Sequence, residues 1–225
     1  MGGIYITARG TYKRCYVGIQ TDLSLPKYVS ADTNKGIKPE YILGFYAGKY
    51  GLDIGIVYQK DAFYLFYWSL AETCIIQGEE KKIDTLIGEN LKLRAYLDGD
   101  NITCDVIRKN GEKHSIYAKL KEPAKLEFRK GSYINRELVI AADPKYTINQ
   151  CPVYTIDGMF NNGFVTNVKT YVREKLNDNN SKITKCKEVD QSGLNLNKSK
   201  IKKLVVEFGV NENGYAYEKG TCDLS

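Results

Sequence analysis

Between Leu91 and Leu120 apolar and polar residues alternate with a period of two, and this rhythm constrains the chain more than any other feature. Leu91, Leu93, Ala95 and Leu97 are separated by Lys92, Arg94 and Tyr96, after which Asp98-Gly99-Asp100-Asn101 offers a turn. Ile102, Cys104 and Val106 alternate with Thr103 and Asp105, Asn110-Gly111 offers a second turn, and Ile116, Ala118 and Leu120 follow. Successive strand side chains point to opposite faces, and Asp-Gly and Asn-Gly supply the positive φ angles of tight hairpins. The passage therefore predicts an antiparallel meander with one apolar face.

The same rhythm recurs elsewhere. Residues 41–46, 52–58 and 63–68 read as three more strands, with turns at Gly48 to Gly51 and Gln59 to Asp61. The run Phe63-Tyr64-Leu65-Phe66-Tyr67-Trp68 is apolar on both faces, which marks a strand covered twice or one whose outer face meets a ligand. Further on, Phe164, Thr166, Val168, Thr170 and Val172 alternate with polar residues. Leu204 to Val210 precede the turn signal Asn213-Gly214, and Tyr215 to Cys222 return as a closing strand. No stretch sustains helical spacing, although Ile83, Leu86 and Ile87 allow one short helix after Glu79-Glu80, and Ala142 to Asn162 reads as an irregular loop. The expectation is an all-β fold: a two-sheet antiparallel jelly-roll (concanavalin-like) β-sandwich with at most one short helix, forming a single domain over residues 1–225.

Charge narrows the partners. Lys and Arg number 33 against 27 Asp and Glu, and the resulting +6 is mild for a chain of 225 residues, so a nucleic-acid role is not expected. Seven Lys fall between residues 182 and 203, a local patch suited either to solvent or to an anionic cell-surface polymer. No apolar run reaches the roughly 18 residues of a membrane span. The start, Met1 to Ile6, does not read as a signal peptide, which fits a mature secreted product or a cytosolic protein. None of the six Cys forms a CxxC pair, so zinc is disfavoured. Cys74, Cys104 and Cys186 sit in strand-like runs as small buried residues, and Cys15 with Cys222 is the pair worth testing for a bridge.

Catalytic signals are sparse, and a binding role is favoured over catalysis. The one imidazole, His114, follows a turn at the start of a strand, with no nucleophile placed beside it. Carboxylate chemistry needs two acids at a defined separation; Glu79-Glu80 and Asp98-x-Asp100 are the nearest candidates. The second departs from a calcium loop because Ile102 stands where a third oxygen ligand belongs, and no metal site or cofactor is expected. No phosphate-binding glycine motif occurs.

The residues opposite the apolar faces are more distinctive. Asp53, Tyr64, Trp68, Arg94, Tyr96, Asn167, Lys169, Tyr171 and Arg173 all fall on outward positions if their neighbours point inward. Flat rings cover the apolar faces of sugars while Arg, Asp and Asn exchange hydrogen bonds with hydroxyls. On one sheet face, Asp53, Tyr64, Trp68, Arg94, Tyr96, Asn167, Lys169 and Tyr171 would make a polysaccharide platform on an extracellular or surface-bound protein. The alternatives are a polysaccharide lyase or hydrolase of the same fold, and a structural or adhesive surface protein that binds another protein.

Two resemblances bear on this. Phe128-Arg129-Lys130-Gly131-Ser132-Tyr133-Ile134-Asn135 resembles the Phe-Lys-x-Gly-x-Tyr strand of jelly-roll polysaccharide lyases of the alginate-lyase type. That likeness implies a catalytic role for Tyr133, with Arg129 or Lys169 offsetting a uronate charge, although the family's Gln-Ile-His and Arg-x-Glu-x-Arg segments are missing. Residues 48–58, 129–134, 166–171 and 217–222 are similar, in order, to the secreted bacterial YrpD-like family, which implies a concanavalin-like sandwich and an extracellular setting and no particular activity.

Overall fold

A computed structural model describes residues 2–9, 16–26, 37–84, 87–142, 154–167, 181–182, 189–190 and 201–224. Its strands are β1 (Gly2–Arg9), β2 (Tyr16–Ser24), β3 (Ile37–Ala47), β4 (Tyr50–Gln59), β5 (Ala62–Ser69), β6 (Gly78–Ile83), β7 (Asn90–Asp98), β8 (Asn101–Arg108) and β9 (Lys113–Lys119). A helix, α1 (Glu122–Arg129), separates these from β10 (Tyr133–Ala142), β11 (Tyr154–Asn167), β12 (Ser181–Lys182), β13 (Val189–Asp190), β14 (Ile201–Val210) and β15 (Ala216–Leu224). The strands form two antiparallel sheets packed as a jelly-roll β-sandwich. One has the order β13-β1-β10-β3-β4-β5-β6, the other β14-β15-β11-β2-β7-β8-β9, with β12 beside β11.

Period-two patterning places the core. Leu91, Leu93, Ala95 and Leu97 of β7, Ile102, Cys104 and Val106 of β8, and Ile116 and Ala118 of β9 face inward from the second sheet. Tyr41, Leu43 and Phe45 of β3, Leu52, Ile54 and Ile56 of β4, and Phe63, Leu65 and Tyr67 of β5 meet them from the first. The predicted meander is thus β7-β8-β9, and its turn glycines Gly99 and Gly111 carry φ of +59° and +87°. Arg136 is buried in full and donates from Nη1 to the Thr21 hydroxyl at 2.7 Å, a link between the two sheets.

Four expectations change. The segment after Glu79-Glu80 continues as β6 to Ile83, because cross-strand pairing with Phe63 to Trp68 outweighs weak helical spacing. The short helix instead occupies residues 122–129, started by Pro at its first turn with Glu122 beside it and Arg129 in its last turn, as the helix dipole favours. Consequently Phe128 and Arg129 belong to a helix, and only the Tyr133 end of the lyase-like segment is a strand. Residues 154–162 lie in β11, where pairing on both sides with β15 and β2 orders a stretch lacking an alternating pattern.

Cys74 and Cys104 are buried free thiols. Cys15 and Cys186 lie outside the described residues, as do Lys185, Lys187, Lys198 and Lys200 of the basic patch. Asp100 is held by Lys125 at 3.0 Å and Arg129 at 3.6 Å, so this turn carboxylate ties the meander to α1.

Candidate functional site

The face of the first sheet that points away from the sandwich core is itself largely buried. Ile42 of β3, Val57 of β4, Phe66 of β5 and Val139 of β10 form a second apolar cluster there, with Tyr64 packed against it. Beside the cluster opens a cavity of about 490 Å³, lined by Ile42, Val57 and Phe66 and by Lys38, Glu40, Asp53, Trp68, Glu79 and Glu80. Each polar residue reaches it by strand alternation: Lys38 and Glu40 from β3, Asp53 from β4, Glu80 from β6. Trp68, directly across the ladder from Asp53, forms a lip and is 44% exposed.

Two carboxyls in the cavity have shifted acidities. Burial, followed by the nearby Asp53 charge, pushes Glu40 up to about 8, with Glu80 adding to the rise and Lys38 opposing it. Burial also raises Asp53 to about 6, against the lowering effect of a hydrogen bond from the Tyr46 hydroxyl to its Oδ1. Near neutral pH the pair therefore holds one ionised and one protonated carboxyl, the division that acid–base chemistry needs. Glu80 is fixed by Gln59, whose Nε2 donates to Oε2 at 2.5 Å, while Lys38 stands 3.6 Å from Oε1. Glu137 of β10, another buried acid on this face, accepts from the Asn135 amide at 3.1 Å.

Glycine shapes the floor. A Cβ at Gly44 would lie 2.7 Å from the Tyr46 ring and 3.2 Å from Asp53 Oδ1, so the absence of a side chain lets the ring lie over the strand and deliver its hydroxyl to Asp53. Gly44→Ala is expected to displace Tyr46, cost about 1–3 kcal/mol in urea unfolding, and raise the Asp53 titration seen through Trp68 fluorescence. An unchanged titration with an intact fold would show that Tyr46 does not tune Asp53.

Of the residues expected to form one platform, Asp53, Tyr64 and Trp68 share this face, and Tyr133 lies on the same sheet in β10. Arg94 and Tyr96 sit on the outer face of the other sheet, on the far side of the sandwich. There Arg94 grips the buried Asp105, with Nε and Nη2 each 2.6 Å from Oδ2, while Ser115 donates to Oδ1 at 2.6 Å. Its guanidinium is thereby engaged inside the protein. Asn167 ends β11 in that same sheet, and Lys169, Tyr171 and Arg173 lie outside the described residues. The single platform is corrected to two faces, because β7 joins β2 and not the sheet of β3 to β6. His114 lies on the edge strand β9 of the other sheet with Nε2 3.1 Å from Glu112, and it does not line the cavity.

Glu40, Gln59 and Tyr46 escaped sequence reading because outward strand positions ordinarily meet water. A signal existed nonetheless: Ile42, Val57 and Phe66 are apolar on that same parity, which indicates a face shielded on both sides.

Fold and cavity together define a class: an antiparallel β-sandwich with a carboxyl-lined cleft on the outer face of one sheet. No protein-family model and no curated sequence matches the chain. Among solved structures it is similar to scytalido-glutamic peptidase bound to a peptide-based transition-state analogue, at 12% identity and a TM-score of 0.54, covering 97% of this chain and 96% of the other. A second structure of scytalido-glutamic peptidase, with a transition-state analogue inhibitor, gives 10% identity and a TM-score of 0.52 over 100% and 97%. The alginate lyase of Klebsiella pneumoniae overlaps 57% of this chain and 53% of its own, at 12% identity and a TM-score of 0.40. The first two support a shared fold over the whole chain.

Proposed function

We propose that the protein is a carboxyl-dependent hydrolase, with Asp53 as general base and Glu40 as the proton donor. The observation that carries this reading is the opposite ionisation of two carboxyls lining one cavity, Asp53 at about 6 and Glu40 at about 8. Ionised Asp53 takes a proton from the attacking water, while Tyr46 holds one of its oxygens and so directs the other. Protonated Glu40 donates to the group that departs. No imidazole is required, and His114 does not line the cavity.

Peptides are the first substrates to test, since the fold neighbours are named as peptidases. The experiment is a casein digest and a glycan panel, both followed from pH 4 to 9. The expected result is peptide cleavage with a bell-shaped dependence whose limbs lie near the two carboxyl values, about 6 and about 8. Absence of cleavage throughout that range removes the hydrolase reading. The exposed ring of Trp68 beside acidic groups favours a second reading, glycan binding on the same face. Under that reading Trp68 emission shifts on adding oligosaccharides while no bond is cleaved.

A further inference from the structure

We infer that the polar end of the cavity receives the cationic head of a lysine or arginine side chain in the bound peptide. The peptide rests on the hydrolase reading above, whereas the cation pocket stands on its own geometry. Charge is the first argument. Beside the protonated Glu40, Asp53, Glu79 and Glu80 line the cavity against one Lys38, in a protein whose net charge is +6, so the cavity opposes the sign of the molecule around it.

Glu40 is the second argument, independent of the first. It is 7% exposed and lines the cavity beside the apolar cluster. Burial of that carboxyl carries a desolvation cost that a ligand donor relieves. Glu80 supplies the charge, with Gln59 fixing Oε2 and leaving Oε1 to the Lys38 ammonium at 3.6 Å. That ammonium is an internal cation already drawn to the position, and an incoming one shares or displaces it. Ile42, Val57 and Phe66 form an apolar floor suited to the methylene stem of a long basic side chain.

The test uses the full chain and the emission of its single Trp, Trp68, at the cavity lip. The probes are acetylated, amidated hexa-alanine peptides in which one Lys replaces each position in turn, each paired with an uncharged norleucine counterpart. At one position or more, the Lys peptide is expected to bind about tenfold more tightly than its counterpart, the scale of a charge-assisted hydrogen bond. Glu80→Gln, at a side chain 42% exposed that the fold tolerates, should bring the two within about twofold. Lys38→Met, which removes the internal competitor, should tighten the Lys peptide about threefold. Equal binding of Lys and norleucine peptides at every position overturns the inference, as does a preference unchanged by Glu80→Gln. Spermidine binding more tightly than every Lys peptide would assign the pocket to a free amine and overturn the peptide assignment. Cleavage without a Lys preference defeats the pocket alone, and a Lys preference without cleavage defeats the hydrolase reading alone.

Discussion

Asp53→Asn is expected to lower peptide hydrolysis by about a thousandfold, the middle of the range for losing a positioned general base. The substitution keeps the volume of the side chain and an acceptor for the Tyr46 hydroxyl, so the fold has no steric reason to change. It also removes a carboxyl whose acidity the protein has weakened. Raised from 3.8 to about 6, Asp53 is harder to ionise in the native state than in the unfolded chain, and its ionised form destabilises the native state. At pH 8 the Asn variant should therefore gain stability on the order of 3 kcal/mol while losing activity. Urea unfolding and casein digestion on the same preparations check both halves. A variant that stays active removes Asp53 from the mechanism, and one that is inactive and less stable makes its role structural.

The second large effect is a dependence of stability on pH governed by Glu40. Its native value of about 8 lies above the ordinary 4.5, so the native state binds this proton more tightly than the unfolded chain does. Below pH 4.5 the carboxyl is protonated in both states and the advantage is fully present; it is lost as pH rises to about 8. The total is on the order of 5 kcal/mol, with Asp53 adding a smaller decline between 3.8 and about 6. Glu40→Gln keeps the shape of the side chain without an ionisable group and should flatten the curve between pH 5 and 8. Urea midpoints of the two proteins at pH 4, 6 and 8 decide it. Parallel curves would mean that Glu40 meets enough water or counter-charge to ionise normally.

These effects arise where strand patterning is an incomplete guide. Alternation correctly sends Leu52, Ile54 and Ile56 inward and Asp53 outward, and it correctly pairs β7 with β8 and β8 with β9. Glu79-Glu80 was legible as an acidic pair, and both residues line the cavity. Glu40 was not, because a charged residue at an outward position in a strand is indistinguishable by sequence from a solvated one. Its burial comes from neighbours on other strands: Val57 directly across on β4 and Val139 directly across on β10, with Ile42 and Phe66 beside them. The expectation that Trp68 and Arg94 share a surface failed for a related reason. Each side chain points outward from its own sheet, and parity of position cannot say which sheet that is.

The sequence by itself determined the strands β3 to β5 and β7 to β9, their hairpin turns and the parity of their side chains, because these depend on contacts within a few residues along the chain. Only the tertiary structure decided that β10 inserts between β1 and β3, that β2 joins β7, and that Glu40, Asp53 and Glu80 converge on one shielded face. Those pairings join residues as much as a hundred or more positions apart, as at Gly2 and Ala142 of β1 and β10, where loop closure and the fit of two whole sheets outweigh any local preference. The acidity of the cavity follows from that convergence: a carboxyl acquires a raised value only once strands distant in sequence have excluded its water.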